Sequence, residues 1–233
     1  MKKILFYDSG VGGFSVFLKT LKYFPYANYV YFQDRKNLPY GNKTEKQIFD
    51  IVKNNIENLL KEQNIAIVVF ACNTATSVCI DRFRLLFPHI FFVGTEPCIK
   101  LASRRGCKNI FVLATQRTLK QQKFLSLVYQ ANKKGHNVEC YPPIELAELV
   151  EQAIKKDEWE PLEKCLHSLL PKVASADCVV LGCTHYSLVK HKIREVLKKP
   201  VLDGNCGIEK QIETKINMCL NKHCCGNIKF LSS

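Results

Sequence analysis

The sequence has no long hydrophobic run and no low-complexity segment. No apolar stretch approaches the roughly 20 residues that a membrane-spanning helix needs, so a membrane-spanning protein is excluded. The apolar residues 4–7, which follow Met1-Lys2-Lys3, stop at Asp8. The apolar core of a signal peptide needs roughly 7–15 residues, so we expect no secretion signal.

The twelve cysteines lack the spacings of a metal site. No two form a C-x2-C pair, and the one metal-like cluster, His223-Cys224-Cys225, fits no common zinc spacing, so we predict no metal. A disulfide framework is typical of short secreted chains, which this one does not resemble. We therefore expect reduced thiols and a cytoplasmic protein.

A surplus of positive charge is present, with 34 Lys and Arg against 21 Asp and Glu and a net charge of +13. Such a surface can attract nucleic acid, anionic lipid or a small anionic substrate. The basic residues form scattered doublets and do not alternate with aromatics, so no nucleic-acid partner is expected. A basic module that binds nucleic acid or protein remains the alternative from another functional class.

Short apolar runs alternate with helical stretches along the 233 residues, a length that suits one large domain or two of about 110. The helical pattern is clearest over 44–61, where Thr44 and Gln47 form a capping box. This alternation predicts an α/β fold with parallel sheets. The predicted strands are 3–7, 29–32, 65–70, 90–93, 109–113, 138–141, 177–181 and 200–202.

The chain shows an internal similarity. Residues 67–74 align with 178–185, each an apolar run followed by a small residue and a cysteine, at an offset of 111 between Cys72 and Cys183. Residues 4–9 resemble 110–115 at a similar offset. A period this long indicates a domain duplication, so we predict two similar α/β halves.

Polar or reactive groups follow four of the predicted strands, at the edge where open parallel sheets bind ligands. The helices expected there offer free N–H groups that attract carboxylates and favour a thiolate. Such an edge suits a small anionic substrate. The groups are Asp8-Ser9, Cys72-Asn73-Thr74, residues 115–118 and Cys183-Thr184-His185.

The equivalent placement of Cys72 and Cys183 suggests acid/base chemistry from two sides. If the halves face each other, one thiolate can remove a proton from a carbon and the opposite thiol can return one, which inverts the centre. A cysteine pKa of about 8.5 suits both tasks. Asp8 and His185 are placed to assist the two thiols. For the other ten cysteines an inert core role is the interpretation.

Two turn-like segments have rival interpretations. The glycine-rich residues 8–13 resemble a dinucleotide fingerprint, but that motif needs a glycine where Ser15 stands, and Asp8 would face the pyrophosphate. A nucleotide site is therefore disfavoured. Asp34 and Pro39-Tyr40-Gly41 form a second segment, for which a plain turn is the alternative.

At these residues the chain resembles the cofactor-independent racemases of the aspartate/glutamate racemase family. The second cysteine segment favours a glutamate-acting member, since aspartate-acting relatives usually carry an acidic residue at the place of His185. An aspartate or hydantoin racemase is the alternative. The matching segments are Asp8-Ser9-Gly10-Val11-Gly12-Gly13, Pro39-Tyr40-Gly41, Ala71-Cys72-Asn73-Thr74-Ala75, Glu96-Pro97, Ala114-Thr115 with Thr118, Leu149-Val150-Glu151 and Gly182-Cys183-Thr184-His185-Tyr186.

The resemblance implies two domains, 1–94 plus 204–233 and 95–203, related by a pseudo-two-fold axis with the substrate between them. It implies no cofactor, interconversion of L- and D-glutamate for peptidoglycan synthesis, and a homodimer. Cys72 and Cys183 would be the catalytic acid/bases, assisted by Asp8 and His185. The family's glutamate would be Glu151 or Glu148. The implied substrate-binding residues are Ser9, Pro39, Tyr40, Gly41, Asn73, Thr74, Thr118 and Thr184.

Overall fold

The computed structural model describes residues 1–220 and 226–233. The predicted metal-free cluster His223-Cys224-Cys225 lies outside the described residues. The chain divides into two compact units, Met1–Thr95 with Asn205–Ser233, and Glu96–Gly204. No helix in the described ranges is long and apolar enough to cross a membrane.

The first unit is a parallel five-stranded sheet with helices packed on it. Its strands are β1 (Lys3–Asp8), β2 (Tyr29–Gln33), β3 (Ile65–Phe70), β4 (Phe91–Gly94) and β9 (Ile228–Ser232), in the order β4-β3-β1-β2-β9. Its helices are α1 (Phe14–Tyr23), α2 (Glu45–Glu62), α3 (Asn73–Leu86) and α12 (Ile208–Glu213), with 3-10 turns at Arg35–Asn37, Tyr40–Asn42 and Ile216–Met218.

The second unit is a parallel four-stranded sheet. Its strands are β5 (Asn109–Ala114), β6 (Asn137–Tyr141), β7 (Cys178–Gly182) and β8 (Val201–Asp203), in the order β6-β5-β7-β8. Its helices are α4 (Ile99–Arg104), α5 (Gln116–Leu119), α6 (Gln122–Lys133), α7 (Leu146–Lys156), α8 (Glu160–His167), α9 (Leu170–Val173), α10 (Thr184–Leu188) and α11 (Lys190–Leu197). The 3-10 turn Gly204–Gly207 follows β8.

The two sheets share one strand order, since β4-β3-β1-β2 corresponds to β8-β7-β5-β6. This agrees with the internal similarity of the sequence and confirms the predicted α/β class. The strands β3 and β7 are apolar throughout, as expected where helices cover both faces of a parallel sheet. Every residue of β3 and β7 is accordingly buried.

The predicted helix at 44–61 is confirmed as α2, which begins with the expected capping box between Thr44 and Gln47. Its buried residues recur at helical spacing and pack into the core of the first unit: Ile48, Phe49, Val52, Ile56 and Leu59.

All eight predicted strands are present, with ends shifted by one residue at most. The apolar pattern did not predict β9, which pairs in parallel with β2. Ile228 and Phe230 remain largely exposed on this edge strand. A short exposed edge strand lacks the continuous apolar run that marked the buried strands, so periodicity gave no signal for it.

Candidate functional site

In the first unit the site is built where β1 and β3 end side by side. Tyr7 pairs with Phe70 in the sheet, so Ser9 and Cys72, which follow these strands, are neighbours. Cys72 is the N-cap of α3, and its Sγ accepts a hydrogen bond from the Ala75 N–H (3.4 Å). The Ser9 hydroxyl donates to the same sulfur over 3.2 Å. Two donors therefore face this thiol.

Asp8 is held at the end of β1 by donors on two other segments. Its Oδ2 accepts from the Gly13 N–H (2.7 Å) and from the Tyr31 hydroxyl (3.0 Å). A Cβ at position 13 would lie 2.9 Å from the Asp8 carboxyl and 2.7 Å from the Ala71 Cβ, so this close approach requires glycine. The glycine-rich turn thus seats a carboxylate against the start of α1.

Tyr31 is a partner of Asp8 that the sequence did not indicate. Burial, and next the charge of Asp8, raise the pKa of its hydroxyl far above the usual range, so Tyr31 stays a neutral donor to that carboxylate. It lies inside the aromatic run of β2, where nothing in the sequence distinguishes it from a core tyrosine.

The turn that contains Pro39, Tyr40 and Gly41 follows β2. The Tyr40 hydroxyl donates to Asp34 Oδ2 (2.5 Å) and lies 2.7 Å from the Tyr7 hydroxyl. The hydroxyl of Tyr40 is therefore engaged inside the protein, which the sequence did not indicate.

In the second unit, Cys183 follows β7 and stands at the N-cap position of α10. Its Sγ lies 3.8 Å from His185 Nδ1. His185 Nε2 in turn lies 2.9 Å from Glu151 Oε1 on α7. The structure therefore brings Glu151, which lies 34 residues before His185 in the sequence, to the Cys183–His185 pair.

The negative charge of Glu151 determines which ring nitrogen of His185 carries a proton. Burial alone would raise the Glu151 pKa, but hydrogen bonds from His185 and Lys155 outweigh burial and lower that pKa to about 2. An ionised carboxylate only accepts, so Nε2 of His185 carries a proton and Nδ1 faces the sulfur. The ring can then exchange a proton with Cys183.

The structure distinguishes the two glutamates that the sequence left open. Glu151 contacts His185, whereas Glu148 is exposed and lies 3.5 Å from the Gln152 amide. Lys155 binds Glu151 Oε2 over 2.6 Å, a partner that the sequence analysis missed. Its position four residues after Glu151 on a helix was the available signal.

The remaining predicted binding residues begin helices that follow sheet strands. Asn73 and Thr74 lie in the first turn of α3, Thr118 in α5 and Thr184 in α10, and all four are buried. The Thr118 N–H donates to the Thr115 hydroxyl (3.2 Å). These are positions where backbone N–H groups favour carboxylates.

The described residues contain no group of three or more His, Cys, Asp or Glu side chains that could hold a metal ion. In the first unit a thiol at the start of a helix is accompanied by the Asp8 carboxylate, and in the second a thiol in the same position is accompanied by an imidazole that contacts the Glu151 carboxylate. Thiols and imidazole titrate close to neutrality, so this set suits general acid/base chemistry on a small anionic molecule.

Comparison with known proteins identifies relatives along the whole chain. The family model described as Asp/Glu/Hydantoin racemase matches residues 26–206. The chain is 38% identical over 220 residues to the glutamate racemase of Clostridium botulinum (strain Alaska E43 / Type E3), which covers 92% of this chain and 84% of that protein. It is 39% identical, over an alignment of 243 residues, to the glutamate racemase of Clostridium kluyveri (strain NBRC 12016). That alignment covers 100% of this chain and 92% of that protein.

A solved structure is similar at the level of the fold and the sequence. It is Escherichia coli glutamate racemase in complex with L-glutamate and the activator UDP-MurNAc-ala. The two chains are 28% identical with a TM-score of 0.86, and the match covers 99% of this chain and 89% of that one.

Proposed function

Because the chain belongs to the Asp/Glu/Hydantoin racemase family, and is an isomerase that acts as an amino-acid racemase, we propose that its substrate is glutamate. The two Clostridium relatives and the Escherichia coli structure are all named as glutamate racemases, and the last holds L-glutamate. The reaction we assign is the interconversion of L- and D-glutamate without a cofactor.

The observation that carries this proposal is the equivalent placement of Cys72 and Cys183. Each follows the second strand from one edge of its sheet, β3 or β7, and each stands at the N-cap position of the next helix. A helix N-terminus favours the thiolate form of a cysteine. Twin thiols in this position match a reaction that needs one base and one acid of similar strength.

In the mechanism we propose, one thiolate removes the α-proton of glutamate. The carbon–hydrogen bond breaks, its electron pair stays on the substrate and is delocalised into the α-carboxylate, and the proton moves to sulfur. The opposite thiol then delivers its own proton to the other face of the carbon. The two cysteines end with exchanged protonation states, which solvent restores.

Asp8 and His185 serve the two thiols in this proposal. The Nδ1 of His185 lies close enough to Cys183 to exchange a proton with it. Asp8 ends the strand next to Cys72, and its carboxylate is anchored by Gly13 and Tyr31. We propose that Asp8 performs the corresponding task for Cys72.

The main obstacle is the weak acidity of a carbon–hydrogen bond beside a carboxylate. Donors aimed at the developing negative charge lower this barrier. We propose that the first helical turns containing Asn73, Thr74, Thr118 and Thr184 supply them, together with Ser9 and the Pro39-Tyr40-Gly41 turn. Glu151 acts through His185, so its role is that of a positioning residue.

The test is proton exchange in heavy water. The purified protein is incubated with L-glutamate in D2O without pyridoxal phosphate, and the α-hydrogen is followed by NMR while chirality is followed by polarimetry. We expect deuterium at the α-carbon together with loss of optical activity. A folded protein that leaves the α-proton of glutamate in place contradicts the proposal, and exchange of aspartate or a hydantoin instead would assign the alternative substrate.

We further propose that the D-glutamate made here serves peptidoglycan synthesis in the cytoplasm. Nine of the cysteines in the described ranges are free thiols, which suits a reducing compartment. Depletion of the protein in its host should make growth depend on added D-glutamate.

A homodimer is the expected assembly, and light scattering on the purified protein measures it.

A further inference from the structure

A chain of buried polar side chains in the first unit takes no part in the proton transfer proposed above. The Asn55 amide of α2 donates to the Tyr7 hydroxyl of β1 over 2.9 Å. The Tyr7 and Tyr40 hydroxyls are 2.7 Å apart, and Tyr40 donates to Asp34 Oδ2 over 2.5 Å. Tyr7 and Asp34 have no exposed surface, and Tyr40 is 2% exposed. Buried polar groups are costly unless they are satisfied, so this arrangement needs a reason.

The carboxylate sets the direction of every hydrogen bond in the chain. A carboxylate only accepts, so Tyr40 gives its proton to Asp34, and the Tyr7 hydroxyl donates toward Tyr40 and, over a longer 3.4 Å, toward Asp34. Tyr7 in turn accepts from the amide of Asn55. Burial, reinforced by the charge of Asp34, raises the pKa of both tyrosines far above the usual range, so both keep their protons. The donors therefore all point toward one carboxylate.

Asp34 also joins this chain to the end of β1. Its backbone N–H donates to the Asp8 carbonyl (2.8 Å), and its Oδ1 accepts from Asn37 (2.9 Å) in the segment before the turn. The Tyr40 ring is thereby tied to the strand that carries Asp8. The Tyr40 side chain cannot leave this position without breaking its hydrogen bonds with Asp34 and Tyr7. It therefore restrains the backbone of the Tyr40-Gly41 turn.

We propose that Asp34 and Tyr7 are positioning residues, which hold the Tyr40-Gly41 turn in the conformation that binds the substrate. They would set substrate affinity and leave the rate of proton transfer largely unchanged. This inference rests on the proposed function, in which the turn contacts the amino acid. Because Tyr40 uses its hydroxyl for the network, the turn would bind through its backbone.

A second buried tyrosine of the same sheet supplies a matched control. Tyr29 on β2 is 1% exposed, and its hydroxyl donates to the Phe24 carbonyl over 2.7 Å. Tyr29→Phe removes one buried hydroxyl hydrogen bond, as Tyr7→Phe does, without touching the turn. Loss of thermal stability is common to both variants, whereas a change in substrate affinity is expected only for Tyr7→Phe.

The experiment compares the wild-type protein with Tyr7→Phe, Asp34→Asn and Tyr29→Phe. The kcat and KM for L- and D-glutamate and the Tm are measured for each. We expect KM to rise roughly 5-fold in Tyr7→Phe and roughly 20-fold in Asp34→Asn, with kcat within about 3-fold of wild type. Tyr29→Phe should lower Tm and leave KM unchanged. If Asp34→Asn does not fold, Tyr7→Phe decides.

Two outcomes overturn the positioning role while leaving the proposed function intact. One is an active wild type whose KM is unchanged in Tyr7→Phe. The other is an equal rise of KM in Tyr7→Phe and Tyr29→Phe, which would mark a general effect of lost stability. Absence of racemisation by the wild-type protein would instead contradict the proposed function, and the premise of this inference with it.

Discussion

In each unit a cysteine follows the second strand from one edge of the sheet, but different groups surround the two cysteines. In the first unit the Cys72 sulfur accepts hydrogen bonds from the Ser9 hydroxyl and the Ala75 N–H. In the second, Cys183 makes no such cap hydrogen bond within the described residues and lies 3.8 Å from the His185 ring. Hydrogen-bond donors stabilise the thiolate directly, whereas an imidazole can also exchange a proton with the thiol.

The two units therefore share the backbone position of the thiol and differ in the residues that surround it. The amide at the start of α3 and the serine after β1 are close in space because the strands pair. His185 depends on Glu151, which comes from a different helix. Each half can therefore be tuned by its own set of residues. How far the two thiols are equivalent can be tested by changing each set of residues in turn.

The largest effect is expected from replacing either thiol. Cys72→Ser and Cys183→Ser should each lower the racemisation rate by about 1,000-fold or more, because a serine hydroxyl is a far weaker acid than a thiol. Polarimetry with L-glutamate measures this loss. In D2O, each variant should retain slow α-exchange of one enantiomer only, and the retained enantiomer should differ between the two variants. Full racemisation by both single variants would rule out the two-thiol mechanism.

The second-largest effect is expected at Cys183, the thiol that lies beside an imidazole. His185→Asn should lower kcat roughly 100-fold and Glu151→Gln roughly 10-fold, because the first removes the exchanging ring and the second only its anchor. The Glu148→Gln variant is the control, since Glu148 does not contact His185 and should keep wild-type kcat. A Glu148 variant as slow as Glu151→Gln would reverse the assignment of the two glutamates.

A smaller effect is expected at the serine that faces Cys72. Ser9→Ala removes one neutral donor to sulfur and should lower kcat/KM about 5-fold, with the Ala75 N–H still in place. Enantiomers have equal free energies, so kcat/KM must fall equally in both directions. The pH dependence of alkylation by iodoacetamide, followed by peptide mass spectrometry, should show a higher thiol pKa at Cys72 and no change at Cys183. An unchanged alkylation profile at Cys72 would contradict the donor role.

The smallest effect is on stability. The Glu151 pKa is lowered from an ordinary 4.5 to about 2 in the folded state, so its contribution to stability is present above about pH 4.5 and disappears as pH falls toward 2. The Glu151 side chain is 11% exposed, but its partner Lys155 is largely exposed to solvent, so the contribution is modest. Between pH 5 and pH 2.5 the Tm of the wild type should fall more than that of Glu151→Gln. Parallel loss of Tm in the two proteins would show that the carboxylate adds no pH-dependent stability.

Much of the fold and part of the site could be predicted from the sequence. Apolar runs located eight strands to within a residue, and the capping box located the start of α2. The strand-end cysteines were recognisable because a polar cluster after a buried strand is informative. The exposed edge strand β9, with Phe230 facing solvent, gave no comparable signal.

Partners that depend on neighbouring strands or helices could not be predicted. Tyr31 reaches Asp8 only because β2 lies beside β1, and Asp34 meets Tyr7 across the same pair of strands. A tyrosine in a buried strand has the same sequence signature whether or not its hydroxyl has a function. Sequence patterns report burial, and burial alone does not say which polar groups meet.

The sequence by itself determined the α/β class, the duplicated halves and the thiols at the ends of two corresponding strands, because apolar periodicity and the chemistry of cysteine are local properties. Tertiary structure alone decided three hydrogen bonds: Glu151 with His185, the Tyr40 hydroxyl with Asp34, and Ser9 with Cys72. The reason is physical: hydrogen bonds act over about 3 Å, and only the folded backbone brings these groups, two pairs of which are far apart in the sequence, to that separation.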